Sequence, residues 1–154
     1  LAVLHGRPLT QTTQARVDSF MAASAQQLGR PAKVIVADTL SEAGAHDAMT
    51  RFFESGETCD GLYAVTDSLA LGAYHAIKRK KLTIPGDLAV VGVGDYENSP
   101  YFDPPLSSVG VLRDQVGRDA SQLLLSMLTS STTPQPARFE APVEVVLRES
   151  TGPA

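Results

Sequence analysis

The chain is predicted to be an α/β domain in which helices cover a mostly parallel sheet. Three observations predict it. Short β-rich apolar runs alternate with longer amphipathic stretches, turn or capping residues separate the two, and the run Leu88 to Val91 is continuously apolar, as in a strand buried on both faces. At 154 residues the chain has the length of one ordinary domain and can build its own hydrophobic core.

Leu1 to Leu4 reads as the first strand, and His5-Gly6-Arg7-Pro8 as the turn after it. From about Thr12 to Leu28, the residues Val17, Phe20, Met21, Ala25 and Leu28 recur at three- and four-residue intervals, the spacing of one helical face; Gly29 and Pro31 stop the helix. Val34 to Ala37 is the second strand. Ser41 caps a helix whose apolar members are Ala45, Ala48, Met49, Phe52 and Phe53, and Gly56 ends it. Gly61 to Val65 is the third strand, and Thr66 or Asp67 caps the helix that runs through Leu69, Leu71, Ala73, Ala76 and Ile77. The basic run Lys78-Arg79-Lys80-Lys81 closes that helix, where cations complement the terminal carbonyls.

Pro85-Gly86-Asp87 precedes the fourth strand, Leu88 to Val91. Residues Gly92 to Pro105 mix glycine and proline with Tyr96, Tyr101 and Phe102, a composition suited to a shaped loop. Leu106 to Val109 is a short strand, and Arg113 to Leu128 an amphipathic helix with Val116, Leu123, Leu124 and Met127 on its apolar side. Ser130 to Pro136 is a linker, and Val143 to Leu147 a strand that completes an edge of the sheet.

Charge and composition narrow the function. Thirteen Lys and Arg against 17 Asp and Glu give a formal charge of -4, which argues against this segment itself holding duplex DNA. The single cysteine, Cys59, has no partner for an internal disulfide or a structural zinc site. No stretch approaches the roughly 20 apolar residues that span a bilayer. The start at Leu1-Ala2-Val3-Leu4, without methionine or a basic leader, leads us to expect preceding residues in a parent protein.

No catalytic constellation emerges. His5, His46 and His75 fall on different elements, with no HExxH-like pair and no metal-ligand spacing. Gly92 and Gly94 lack the third glycine and the following helix of a dinucleotide fingerprint, and neither Ser68 nor Ser99 lies in a G-x-S-x-G elbow. The chain therefore reads as a non-enzyme with no cofactor and no metal. What remains is a set of polar groups at the carboxyl ends of parallel strands, where open α/β sheets bind ligands. Arg16, Thr66, Asp67 and Asp95 are the candidates, joined by Tyr96 directly after the buried strand and by His5 after the first one. A guanidinium offers a rigid fork of donors, and a carboxylate accepts two ligand hydroxyls.

Four segments then stand together: D-G-L-Y-A-V-T-D-S-L-A-L-G-A at Asp60 to Ala73, I-P-G-D-L-A-V-V-G-V-G-D at Ile84 to Asp95, P-P-L-S-S-V at Pro104 to Val109 and V-V-L-R-E-S-T at Val145 to Thr151. With R-V-D-S-F at Arg16 to Phe20, they resemble, in order and over nearly the whole chain, the effector-binding region of the lactose/galactose repressor family. The closing L-R-E-S-T looks more like a repressor than a free periplasmic sugar receptor. The resemblance implies Rossmann-like lobes of the type I periplasmic-binding-protein kind, with this chain a fragment. Residues 1–105 would form most of the carboxyl-terminal effector-binding lobe, 106–134 a strand, helix and linker of an incomplete first lobe, and 135–154 the return strand and tail.

By the same resemblance, Arg16 looks like the family's effector-contacting arginine, Thr66 stands where an asparagine commonly reaches the ligand, and Asp67 follows it. Gly94 departs from the pattern at the first acid of the usual G-F-D-D segment, Asp95 keeps the second acid, and Ser107 and Ser108 replace paired threonines. The implied partners are a small polar effector of the sugar or nucleoside class, a second copy of the chain in a homodimer, and operator DNA reached only through an amino-terminal helix-turn-helix outside this chain; the implied location is cytoplasmic. The alternative is a solute-receptor fragment that delivers a small polar ligand to a transporter. A helix-turn-helix or a secretory leader ahead of Leu1 discriminates the two.

Overall fold

A computed structural model describes residues 1–129 and 141–152. The predicted linker, Ser130 to Pro136, lies outside the described residues. Six strands form one sheet: β1 (Ala2–Gly6), β2 (Lys33–Ala37), β3 (Gly61–Ala64), β4 (Ala89–Gly94), β5 (Ser107–Val111) and β6 (Val143–Val146). Their order is β2-β1-β3-β4-β5-β6, with the first five mutually parallel and β6 antiparallel to β5. The α/β class and the edge position of the last strand are as the sequence predicts.

Three helices make the crossovers: α1 (Gln11–Leu28), α2 (Glu42–Glu54) and α3 (Asp67–Arg79). The chain steps from β1 to β2 in one direction and from β2 to β3 and β4 in the other, so right-handed crossovers place α1 on one face and α2 with α3 on the opposite one. Each helix begins where a hydroxyl satisfies free amides. Thr10 and Thr13 form a reciprocal capping box on α1, Gly44 N–H donates to Ser41 Oγ at 3.1 Å, and Leu69 N–H donates to Thr66 Oγ1 at 3.3 Å. Of the two cap candidates on α3, Thr66 is the cap. Because the strands are parallel and the helices return antiparallel to them, all three capped amino ends lie at the carboxyl edge of the sheet.

The core lies between the sheet and the α2–α3 layer. Leu4, Met49, Leu62, Leu69, Ile77, Leu88 and Leu106 are fully buried there, and removal of these side chains from water supplies roughly 1.5–3 kcal/mol apiece. Two elements differ from the sequence reading. β1 continues through His5 and Gly6, which pair with Val36 and Ala37, so His5 is inside the strand rather than in a turn after it. β5 pairs with β4 from Val91↔Ser107 to Gly94↔Gly110, so this strand belongs to the same sheet, where the sequence reading began another segment at residue 106.

The last helix, α4 (Arg113–Thr129), behaves differently from the others. None of its residues is buried, and its apolar side chains stand in solvent, with Leu124 59% and Leu128 74% exposed. Within the described chain its apolar side has no packing surface. Among the described residues no helix is long and apolar enough to cross a membrane.

Candidate ligand site at the carboxyl edge of the sheet

Arg16 sits near the amino end of α1, on the side that faces β3. Its Nη1 donates to the carbonyl of Val65 at 2.8 Å, which fixes the guanidinium at the carboxyl end of β3. Beside it runs an open groove of about 890 Å³ lined by Gln11, Thr12, Ala15, Arg16, Ser19, Phe20 and Tyr63. Phe20 and Tyr63 form its aromatic wall, stacked with ring centroids 4.7 Å apart and planes 20° from parallel. Burial pushes the Tyr63 phenol above its ordinary pKa while the nearby Arg16 charge pulls the other way, so the phenol remains a neutral donor at physiological pH.

Asp67 is placed differently from the sequence expectation. It is 1% exposed, and its carboxylate is engaged inside the protein: Oδ2 accepts from Tyr96 N–H at 3.0 Å and from Ser99 Oγ at 2.8 Å, and Oδ1 accepts from Ser108 Oγ at 2.7 Å. Gly92 makes room for it, since a Cβ there would stand 2.1 Å from Oδ1. Asp67 thus ties the start of α3 to the loop after β4 and to β5. It is a positioning residue, because burial closes it off from a ligand at the edge.

Asp95 also turns inward. Its backbone is left-handed, with φ 47°, and its N–H donates to Ser108 Oγ at 3.0 Å. Its Oδ1 is buried 2.7 Å from Arg148 Nη1 with no N–H aligned on it, so this pair is held by charge rather than by a directed hydrogen bond. Arg148 Nη1 donates instead to the carbonyl of Leu106, at 2.6 Å. The same tail is stitched down by Ser150, whose Oγ donates to Val90 O at 2.6 Å and accepts from Ser107 N–H at 2.8 Å. The L-R-E-S-T segment is therefore a clasp across β4 and β5.

Tyr96 remains at the surface, 41% exposed, as the sequence reading requires of a ligand-facing group. Its ring lies against Gly94, which has φ 131°; a Cβ at residue 94 would come within 2.6 Å of the ring. The glycine at that position is thus the space that the tyrosine ring uses. Arg113, absent from the sequence candidates, donates to the carbonyls of Gly94 and Asp95, the latter at 3.0 Å, and its guanidinium lies 5.9 Å from the Tyr96 ring centroid. Only its place at the start of α4 is visible in the sequence, and nothing there foretells its reach back to β4. His5 is the penultimate residue of β1 and is buried there, 6% exposed, with Nδ1 3.4 Å from the Gly6 carbonyl oxygen. The structure places Arg16 and Thr66 at the end of β3 and Tyr96 just after β4, turns Asp67 and Asp95 inward, and buries His5 near the end of β1. Among the described residues no group of three or more His, Cys, Asp or Glu side chains is placed to hold a metal ion.

With this geometry established, comparison with known proteins decides the family. A model of the periplasmic binding protein-like domain matches residues 1–151. The chain belongs to this family. Its members include the effector-binding regions of regulators of the LacI type, and the resemblance drawn from the four sequence segments is borne out. Over 137 residues the periplasmic binding protein-like chain is 28% identical to the HTH-type transcriptional repressor MelR of Bacillus subtilis, a match that covers 89% of this chain and 38% of the repressor. It superposes on a putative LacI-family transcriptional regulator from Sanguibacter keddieii with TM-score 0.85 and 28% identity, covering 99% of this chain and 58% of that one. A LacI-family regulator from an Arthrobacter species, solved in complex with lactose, gives TM-score 0.81 and 28% identity, with 97% and 56% covered. The chain spans less than two thirds of each of these proteins.

Proposed function

We propose that this chain is the effector-sensing part of a bacterial DNA-binding transcription regulator. A small polar molecule is held at the carboxyl edge of the sheet by Arg16, Thr66 and Tyr96, with Asp67 and Asp95 positioning the loop beneath them. The observation that carries this reading is the delivery of Arg16 from α1 to the end of β3, beside an open aromatic-walled groove, in a chain whose relatives are regulators. The chemistry is binding and conformational coupling: ligand contacts that differ between lobe arrangements shift the equilibrium of the attached DNA-binding heads. Operator DNA is contacted through a domain outside this chain, and the protein works in the cytoplasm, where its operator lies.

In this reading α4 is the piece that packs on the first lobe, which accounts for its lack of buried residues, and the first-lobe segment begins after β5 rather than at residue 106. The reading includes a homodimer; in this chain on its own, the apolar side of α4 that the first lobe would cover is open to a second copy. The relatives described above are regulators, so the solute-receptor alternative draws no support from them.

The test is thermal unfolding of the chain against a panel of neutral sugars, nucleosides and their phosphates, followed by circular dichroism because the sequence holds no tryptophan. A true ligand at a hundredfold its Kd adds about 2.7 kcal/mol to the stability. At least one panel member is expected to raise the midpoint, and Arg16→Ala is expected to lose most of that rise. A wild-type chain indifferent to every member, or an Arg16→Ala variant that responds as fully as wild type, contradicts the reading.

A further inference from the structure

The charges at the carboxyl edge are unequal in how they are spent. Asp67 is buried and engaged by three donors, Asp95 lies against Arg148, and Asp38 accepts from Arg51 Nη2 at 3.2 Å. Asp67 and Asp95 are answered inside the protein, and Asp38 is paired at the surface. Arg16 and Arg113 are not: among the described residues neither forms a salt bridge, and the hydrogen bonds they make go to the backbone carbonyls of Val65, Gly94 and Asp95. A guanidinium carries five N–H donors in a rigid fork, so both arginines keep donors for another group. The acids that share this rim, Glu42, Glu97 and Asp114, are exposed, and solvent screens their fields.

Position makes the two cations a pair. Arg16 reaches the end of β3 and Arg113 the end of β4, which are neighbouring strands, so the two cations serve adjacent strand ends. The Tyr96 ring, held by Asp67 through its backbone and by the space at Gly94, forms a wall beside Arg113. The capped amino ends of α1 and α3 point at the same edge and add partial positive charge to it. A planar fork of this kind matches the oxygens of a phosphate or a carboxylate.

We propose that the molecule sensed at this edge is an anion, a small polyol bearing a phosphate or a carboxylate group held between Arg16 and Arg113 beside Tyr96. The inference rests on the sensing reading above and narrows its ligand class.

The experiment is an amide-resolved NMR titration of the 154-residue chain with sodium phosphate and, separately, sodium acetate, at constant ionic strength maintained with chloride. The two anions distinguish the two sources of charge. Saturable shifts of the Val65, Thr66, Asp95 and Tyr96 amides with at least one anion are expected. Arg16→Gln and Arg113→Gln are each expected to weaken that binding by about tenfold, the loss of one charge-assisted pair. Arg113→Lys keeps the charge and is expected to recover part of it. The inference is overturned if neither anion moves these amides, or if both glutamine variants titrate like wild type. Should a neutral panel member bind with dependence on Arg16 while neither anion does, the anion inference falls and the sensing reading stands; if neither class binds, both fall.

Discussion

Replacing Asp67 with alanine is expected to destabilise the chain by about 3–5 kcal/mol, because it strips partners from a buried amide and two hydroxyls at once. Tyr96 N–H, Ser99 Oγ and Ser108 Oγ all donate to this carboxylate, and Tyr96 and Ser108 hold the loop after β4 against β5. The hydroxyls can turn to other acceptors, whereas the Tyr96 amide cannot, so the loop loosens even where the core survives. Asp67→Asn retains the shape and one acceptor, and Ser108 can rotate to accept from the new amide; its expected cost is about 1–2 kcal/mol. Urea unfolding followed by circular dichroism measures both. An alanine variant within about 1 kcal/mol of wild type would show that the tie carries little, and the positioning role would fall with it.

The second large effect is at Gly94, where restoring the acid that the repressor-family pattern carries is expected to harm the protein. Gly94→Asp places a Cβ at a φ of 131°, a conformation that residues with side chains rarely adopt, and pushes it to 2.6 Å from the Tyr96 ring. Backbone strain of about 1–3 kcal/mol is the main expected loss, and displacement of the half-exposed Tyr96 ring adds a smaller one. The two causes separate experimentally. In a Gly94→Ala background, Tyr96→Ala removes the overlap and leaves the strain, so the double variant is expected to regain at least 0.5 kcal/mol over the sum of the single losses. Strict additivity in the unfolding energies would mean that the ring does not occupy that space.

These two cases also mark where the sequence stops being legible. The strands, the crossover helices and the caps follow from local patterns: continuous apolar runs at Val34 to Ala37 and Leu88 to Val91, helical spacing through Val17 and Phe20, hydroxyls at Ser41 and Thr66. Tyr96 is legible as an edge residue because it directly follows a strand, and Arg16 because it falls in the first turns of a helix that starts at that edge. Asp67 was read as a ligand group because its three donors lie 29, 32 and 41 residues further along the chain, and no periodicity reports a contact of that range. His5 was misplaced by an extension of β1 through Gly6, a boundary set by pairing with β2 rather than by composition. Gly94 looked like a lost acid in one dimension; its meaning depends on Tyr96 folding back over it and on Arg113 arriving from α4. The pairing of β5 with β4 was likewise hidden, because the loop before it carries no signal of which strand it joins.

The central claim is that occupancy of the carboxyl edge alters DNA binding by the protein that contains this chain. The measurement that tests it most directly is operator affinity of the parent regulator, by fluorescence anisotropy at fixed salt, with and without a metabolite that binds the isolated chain. Allosteric coupling of about 1–3 kcal/mol predicts a 5- to 150-fold change in operator Kd on saturation, in either direction. Arg16→Ala in the parent is expected to keep the ligand-free operator affinity and lose the response. An operator Kd that stays the same while the metabolite is bound, or an Arg16→Ala parent that responds in full, would contradict the account.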